Sequence, residues 1–434
     1  MIARIVKFFK SGNKVVEDFL KRSAFDNKAE VIAVEVLKDI QANGIDAVLY
    51  YVEKFDGAKL DKGSLRVSDE EIAAALPLVD EKFKSAVQET KARIKVFSET
   101  GMKRDWSMDA PNGGKLGEKF VPFDRVGVYV PGGAAPLVST ALMTAYIAKV
   151  AGVKEIVACT PMGKGGELNP LMLYGLKEAG VTEIYKVGGI QAIGLMAYGV
   201  KGVEKVQKIV GPGGTFVTAA KRQVYGQVSL DLVAGPSEIA ILADAEANPA
   251  FVAADLLSQA EHGSGFEKSL LVTDSMELAE AVNAEIAKQL PLLNRQFALE
   301  KVMANGVLIV VVEDLDAGMA LCNRFAPEHF EIMVADAEKW LDRVTCAGAV
   351  FIGEWTPESV GDFVAGPSHV LPTGGAAAMF SGLTVDDFRR RTSFMHYTKE
   401  DLQAVLPTVV AFSEVEGLDG HGRSATIRFD KRDA

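Results

Sequence analysis

The chain has 434 residues, 48% of them apolar, and a formal charge of -11 from 47 basic and 58 acidic side chains. That length calls for two large domains with smaller pieces. The acidic balance excludes the basic footprint of non-specific nucleic-acid binding and argues against an anionic membrane surface, while local dipoles still leave room for a small anionic ligand. Cys159, Cys322 and Cys346 are widely spaced and form no CxxC, so a reducing compartment is expected. The start, Met1-Ile-Ala-Arg-Ile-Val-Lys-Phe-Phe-Lys, lacks a signal-peptide pattern. No run approaches the roughly eighteen apolar residues of a membrane span. Cytoplasm is the expected location.

Residues 1 to about 107 read mostly as helix. Ile32, Val34, Val36, Leu37 and Ile40 fall at near-helical spacing, and Asp69-Glu-Glu-Ile-Ala-Ala-Ala-Leu places acids in a first turn. The polar run from Asp105 to Gly117 reads as a crossing between domains. Then the pattern changes. Strands are predicted at Val126–Val130, Glu155–Cys159, Glu183–Val187 and Val206–Val210, each followed by a Gly- or Pro-rich turn and a helix. This alternation implies βαβ units and a parallel sheet, whose ligands bind at the carboxyl ends of the strands. Glycines there let backbone N–H groups approach a phosphate.

A second α/β series begins at Ile239–Ala243, with a helix from Pro249 to about His262. Leu270–Thr273, Val307–Val312, Phe330–Val334 and Ala349–Ile352 read as its further strands. A Gly-rich stretch, Gly361 to Ala377, precedes a small terminal appendage read as helical.

Five histidines are present: His262, His329, His369, His396 and His421. Gln259 and His262 share a helix face at i, i+3, but two donors do not make a metal site. Glu328-His329 follows Pro327, and a turn there can aim both side chains into one cleft for acid–base work; an exposed Glu beside a structural His fits equally well. Asp362 and His369 lie in the dense loop, which reads either as a site or as a domain-closing turn. His421 stands near the end, where a solvated tail is the plain reading. No GxGxxG follows a strand, no Walker A loop is present, and no GxSxG elbow occurs. These residues alone lead to a two-domain α/β protein, an enzyme with a nucleotide or phosphorylated ligand.

The local motifs taken in order resemble the histidinol dehydrogenase family. They are Val126-Gly-Val-Tyr-Val-Pro-Gly-Gly, Gly188-Gly-Ile-Gln-Ala-Ile, Lys208-Ile-Val-Gly-Pro-Gly, Ala234-Gly-Pro-Ser-Glu and Gln259-Ala-Glu-His. Ala326-Pro-Glu-His, Gly361-Asp-Phe, Ser368-His-Val-Leu-Pro-Thr and Glu416-Gly-Leu-x-x-His complete the series. The resemblance implies two incomplete Rossmann-like domains with parallel sheets, a helical N-terminal segment (1–25) and a small C-terminal domain (383–434). It divides the rest into a first α/β domain, 26–107 with 238–382, and a second, 108–237, on the NAD side. It implies a homodimer with shared active sites, NAD as cofactor and one zinc ion per subunit. Gln259, His262, Asp362 and His421 match the zinc ligands, and Glu328 and His329 the acid–base pair. Ser237, Gln259, His262, His329, Asp362, Glu416 and His421 match substrate contacts. Tyr129, Gln191 and Gly214 occupy the NAD-contact positions. The implied activity is NAD-dependent, four-electron oxidation of L-histidinol to L-histidine through L-histidinaldehyde, the last steps of histidine biosynthesis. The competing readings are a relative oxidising another polyol or amino alcohol, such as sulfopropanediol, and a non-catalytic paralogue. The sequence departs from the family pattern at Gly214 and Ser368, where Asn is usual, and at Ile147, where Pro is common.

Overall fold

The computed structural model of this chain describes residues 3–9, 12–22, 27–132, 136–163, 165–232 and 235–430. The chain forms two compact units, Met1–Gly101 with Phe123–Phe388, and Met102–Pro122 with Arg389–Ala434. The strands in chain order are β1 (Arg4–Lys7), β2 (Trp106–Asp109), β3 (Lys115–Pro122), β4 (Arg125–Tyr129), β5 (Glu155–Thr160), β6 (Glu183–Lys186) and β7 (Lys208–Val210). They continue with β8 (Ser229–Leu230), β9 (Glu238–Ala243), β10 (Lys268–Thr273), β11 (Val307–Val311), β12 (His329–Met333), β13 (Ala349–Ile352) and β14 (Arg389–His396).

The first unit holds two parallel sheets. One has six strands in the order β1-β11-β10-β9-β12-β13, the other five in the order β6-β5-β4-β7-β8. Chain progression reverses between β9 and β12 in the larger sheet and between β4 and β7 in the smaller. Such switch points open a crevice where ligands bind. β9 shows why the strands form. Glu-Ile-Ala-Ile-Leu-Ala is buried throughout, as expected for an interior strand covered on both faces. Ile239, Ile241 and Ala243 enter one core, while Ala240 and Leu242 enter the other. The helix Pro249–Ala260 starts with Pro in its first turn and an Asn248 side chain accepting from Ala250 N–H. It covers the first core with Val252, Leu256 and Leu257.

At the amino edge of the smaller sheet, Arg125 on β4 reaches Glu155 on β5 (2.7 Å) and both carboxylate oxygens of Glu183 on β6 (2.7 and 3.0 Å). One buried guanidinium thereby ties the first residues of three adjacent strands. Among the described residues, no helix is long and apolar enough to cross a membrane.

The α/β class with two parallel sheets and a helical N-terminal part agrees with expectation, and the structure adds local detail to it. The N-terminal segment, expected to be helical, contributes β1 as an edge strand paired with β11 before its helix Lys14–Leu20. The supposed crossing near residues 105–117 folds as β2 and part of β3, an antiparallel pair completed by β14 from the terminal appendage. β1 with β11 and β3 with β14 pair across hundreds of residues, so local periodicity carries no trace of those pairings. The helices of residues 27–101 pack on the helices of the smaller sheet's layer. Asn27–Asn43 packs on Gly189–Tyr198 and Thr215–Val224. Gly194 brings the two backbones close there, since a Cβ on it would sit 2.7 Å from Ile40.

Candidate active site

The larger sheet gathers polar groups at the amino edge of its switch point. The helix Leu315–Phe325 ends at Ala326, whose left-handed backbone (φ 46°) redirects the chain through Pro327 into Glu328 and His329. Both side chains are buried, and both are held by the backbone of one residue on the neighbouring strand. Glu238 N–H donates to Glu328 Oε2 at 2.9 Å, and His329 Nδ1 lies 3.1 Å from Glu238 O. A nitrogen facing a carbonyl must carry its hydrogen, so Nδ1 is the protonated position and Nε2 bears the exchangeable site. Nε2 is buried with no hydrogen-bond partner among the described residues, 3.6 Å from Asp362 Oδ1. The Glu328 and His329 side chains approach to 3.7 Å.

Burial pushes the Glu328 carboxyl up to about 8, against the opposing pull of His329. Burial disfavours the His329 imidazolium, but the carboxylates of Glu328, Asp362 and Glu358 outweigh it and raise His329 above the usual imidazole range. The pair therefore retains a proton at neutral pH and titrates as a unit.

Asp362 and His262 lie within range of this pair's charges. Gln259, in the last turn of Pro249–Ala260, is buried, and among the described residues neither its Oε1 nor its Nε2 has a partner. An amide left this way is costly unless a ligand completes it. His262 follows on the turn after that helix; desolvation of its ring lowers its pKa against the pull of Asp362 and Glu267, which favours the neutral form that binds metals. Asp362 lies on the short helix Glu358–Phe363. Burial would raise its carboxyl, but His329, His369 and His262 hold it down to about 2. His369 donates from Nδ1 to the Asp362 carbonyl (3.0 Å) and contacts Thr140 Oγ1 (3.2 Å) through Nε2. Its loop thus links the two sheets' layers. Ser237, just before β9, is half-buried. Glu416 and His421 are exposed and belong to the second unit.

Three further carboxylates escaped the sequence reading. Glu358 is buried, accepts from Ser258 Oγ (2.7 Å), and offers an oxygen within 4.8 Å of donor atoms on His329 and Asp362. Its own N–H donates to Glu331 Oε1 at 2.8 Å. Glu331 in turn pairs with Asp255, and burial raises all three, Asp255 to about 6 and Glu358 to about 7. The signals were present. Glu331 interrupts an apolar strand two residues after His329, and Asp255/Gln259 and Glu358/Asp362 repeat at i, i+4.

The smaller sheet uses its opposite, carboxyl edge. Tyr129 ends β4, and its hydroxyl accepts from Gly189 N–H at 3.2 Å. Gln191 is buried, with Nε2 donating to Asp56 Oδ2 (3.1 Å) and Oε1 unpartnered. Asp56 also accepts from Gly188 N–H (3.1 Å), a second residue the sequence did not reveal. Gly211, after β7, has φ 114°, and a Cβ there would sit 2.2 Å from Tyr129 O, so only glycine fits. The following loop leads to Gly214 at the N-cap of Thr215–Val224.

A family model described as "Histidinol dehydrogenase" matches residues 20–429. The chain belongs to the histidinol dehydrogenase family. It is 42% identical over 416 residues to the histidinol dehydrogenase of Heliobacterium mobile, spanning 96% of this chain and 97% of that protein. It is 43% identical over 394 residues to that of Synechococcus sp., spanning 91% of each. The crystal structure of histidinol dehydrogenase from Elizabethkingia anophelis superposes with a TM-score of 0.92 at 35% identity, covering 98% of both chains. Family membership makes this chain an NAD-dependent oxidoreductase. Two of its departures now have a structural setting. Nothing lies within 4 Å of a Cβ at Gly214, so space does not exclude a side chain there. Ser368 donates to Met143 O (2.8 Å) and accepts from Val370 N–H (3.2 Å), a complete local pairing for the loop before His369. Gly133 and Ala234, both in family motifs, lie outside the described residues.

Proposed function

We propose that this chain oxidises L-histidinol to L-histidine with NAD, using a zinc ion and a site shared between two subunits. The supporting observations are the buried Glu328–His329 pair beside Asp362 and a buried Gln259 amide with no partner among the described residues. The donor set fits a zinc ion: neutral His262, ionised Asp362 and the orphaned Gln259 amide, with His421 of a partner subunit as fourth ligand. Zinc would hold and orient the substrate's imidazole and amine rather than carry the redox step. NAD would accept the hydride of each half-reaction, at the Tyr129, Gln191 and Gly214 edge of the smaller sheet.

His329 takes the hydroxyl proton through Nε2 as hydride leaves, because Nδ1 is committed to Glu238 O. The aldehyde then needs water to attack its carbon, and Glu328 is the base for that water. Ser237 and Glu416 would contact the substrate. The retention of every one of these residues favours histidinol over another polyol, and an active enzyme over a non-catalytic paralogue.

Dimerisation is supported by apolar side chains exposed on the second unit, among them Phe412, Val415 and Ile427. An NADH-release assay with L-histidinol, with and without chelator, tests the main reading. Activity that needs added zinc is expected; full turnover in metal-stripped protein would remove zinc from the mechanism. His421→Ala should lose zinc and nearly all turnover. Mixing inactive His421→Ala with inactive His329→Asn protein should restore part of the activity through hybrid dimers. No recovery after verified subunit exchange would rule out sharing.

A further inference from the structure

The acid–base pair depends on one strand residue, and that residue is itself gripped from outside the sheet. Glu238 opens β9, and its peptide supplies the N–H that holds Glu328 and the carbonyl that holds His329. Its side chain is almost entirely buried and ends 2.7 Å from Arg22 Nη1. Burial raises this carboxyl, against the Arg22 charge and the nearby Gly374 and Gly375 N–H groups.

Arg22 belongs to no strand or helix and follows the helix Lys14–Leu20. Its guanidinium lies over the Phe325 ring, 4.0 Å from the centroid, and donates to Phe325 O. Phe325 is the last residue of the helix whose cap turns the chain into Glu328. Arg22 thus holds both ends of the arrangement: the strand that offers the backbone partners and the helix terminus that delivers the two side chains. The fit is close. Gly375 has φ 79°, and a Cβ there would sit 2.9 Å from Arg22 Nη2.

We propose that Arg22 and Glu238 are positioning residues for the acid–base pair, setting the peptide of residue 238 against Glu328 and His329. The N-terminal segment is on this view part of the catalytic apparatus. The inference rests on the reading of Glu328 and His329 as acid and base. A buried ion pair contributes little net stability compared with apolar packing, because desolvation offsets the attraction. What it supplies is direction. A guanidinium stacked on Phe325 and held 2.7 Å from the carboxylate fixes where residue 238 sits, and a displacement of about 1 Å at a catalytic group costs on the order of 100-fold in rate.

The test uses the full-length, zinc-loaded protein with NAD and L-histidinol, and the variants Arg22→Ala, Arg22→Lys and Glu238→Gln. Arg22→Ala should lower kcat about 10- to 100-fold while KM for NAD and zinc content stay within about twofold of the parent. Arg22→Lys should recover part of the loss, and methylguanidinium should raise the rate of Arg22→Ala. Glu238→Gln, nearly isosteric, should lose kcat in the same direction and serves if Arg22→Ala does not fold. Arg125→Met is the comparison, since it removes an equally buried arginine from the other sheet. It should lower thermal stability while kcat per folded subunit holds. Unchanged kcat in folded, zinc-loaded Arg22→Ala or Glu238→Gln overturns the proposal. So does a loss that only tracks the folded fraction, as in Arg125→Met. His329→Asn separates the two levels. If it stays active, the acid–base reading itself fails; if it is inactive while Arg22→Ala is normal, only the positioning role fails.

Discussion

In the five-stranded sheet the candidate cofactor residues lie past the carboxyl ends of β4 and β7, whereas in the six-stranded sheet the acid–base residues lie at the amino ends of β9 and β12. Both are switch points of parallel sheets, yet the two edges present different electrostatics. At a carboxyl edge, glycine turns lead into helix N-termini, as Gly214 leads into Thr215–Val224. Backbone N–H groups there suit the phosphates of a dinucleotide. At an amino edge, helices returning from the strands end with their carbonyls exposed, as Pro249–Ala260 does beside Gln259 and His262. Partial negative charge and buried carboxylates there suit a cation and proton transfer. On the proposed reading, the dinucleotide's phosphates and the acid–base pair would use opposite edges of two similar sheets.

If that division holds, variants at the two edges should fail in different ways. The largest effect is expected for His329→Asn, which should lower kcat on both half-reactions by about 10²–10⁴-fold without loss of zinc or NAD affinity. Single-turnover kinetics on histidinol and histidinaldehyde, with metal content measured alongside, check it. Glu328→Gln should slow the aldehyde step more than the alcohol step; equal slowing would defeat the division of labour between the two residues.

A second prediction concerns pH. Both members of the pair are raised, so the base form grows as pH rises and activity should climb from neutral into alkaline solution. Although burial opposes it, the Glu328 charge is the strongest influence keeping the proton on His329. Its removal in Glu328→Gln should therefore move the rising limb to lower pH. A kcat/KM profile whose limb stays fixed or moves upward would contradict the coupling.

At the other edge, Gln191→Ala should raise KM for NAD roughly tenfold, the value of about one hydrogen bond with its desolvated partner left behind, while saturating kcat and zinc content hold. Loss of kcat instead would mean the two edges are not separable. The smallest effect belongs to Gly214→Asn. The position is open and at an N-cap, where Asn and Gly differ by only a few tenths of a kcal/mol, so stability should barely change. Any change should appear as a lower KM for NAD, readable by steady-state kinetics.

The sequence alone determined the βαβ alternation, because apolar runs such as Ile239–Ala243 and Val307–Val311 between helix caps leave no other economical burial. It also marked Gln259, His262, Glu328, His329 and Asp362 through short motifs, whose ordered match to one family carried the activity. Tertiary structure decided what depends on distant partners. Leu116 meets Met395, and Arg4 meets Leu308, across hundreds of residues of chain. The same holds for Asp56 beneath Gln191, Glu358 and Glu331 beneath His329, and Arg22 on Glu238. Their own neighbourhoods hint at burial at most, as the apolar strand around Glu331 does. Each role comes from burial against a partner that no local pattern can specify, since a carboxylate gains a shifted pKa or a positioning duty only when the fold removes its water.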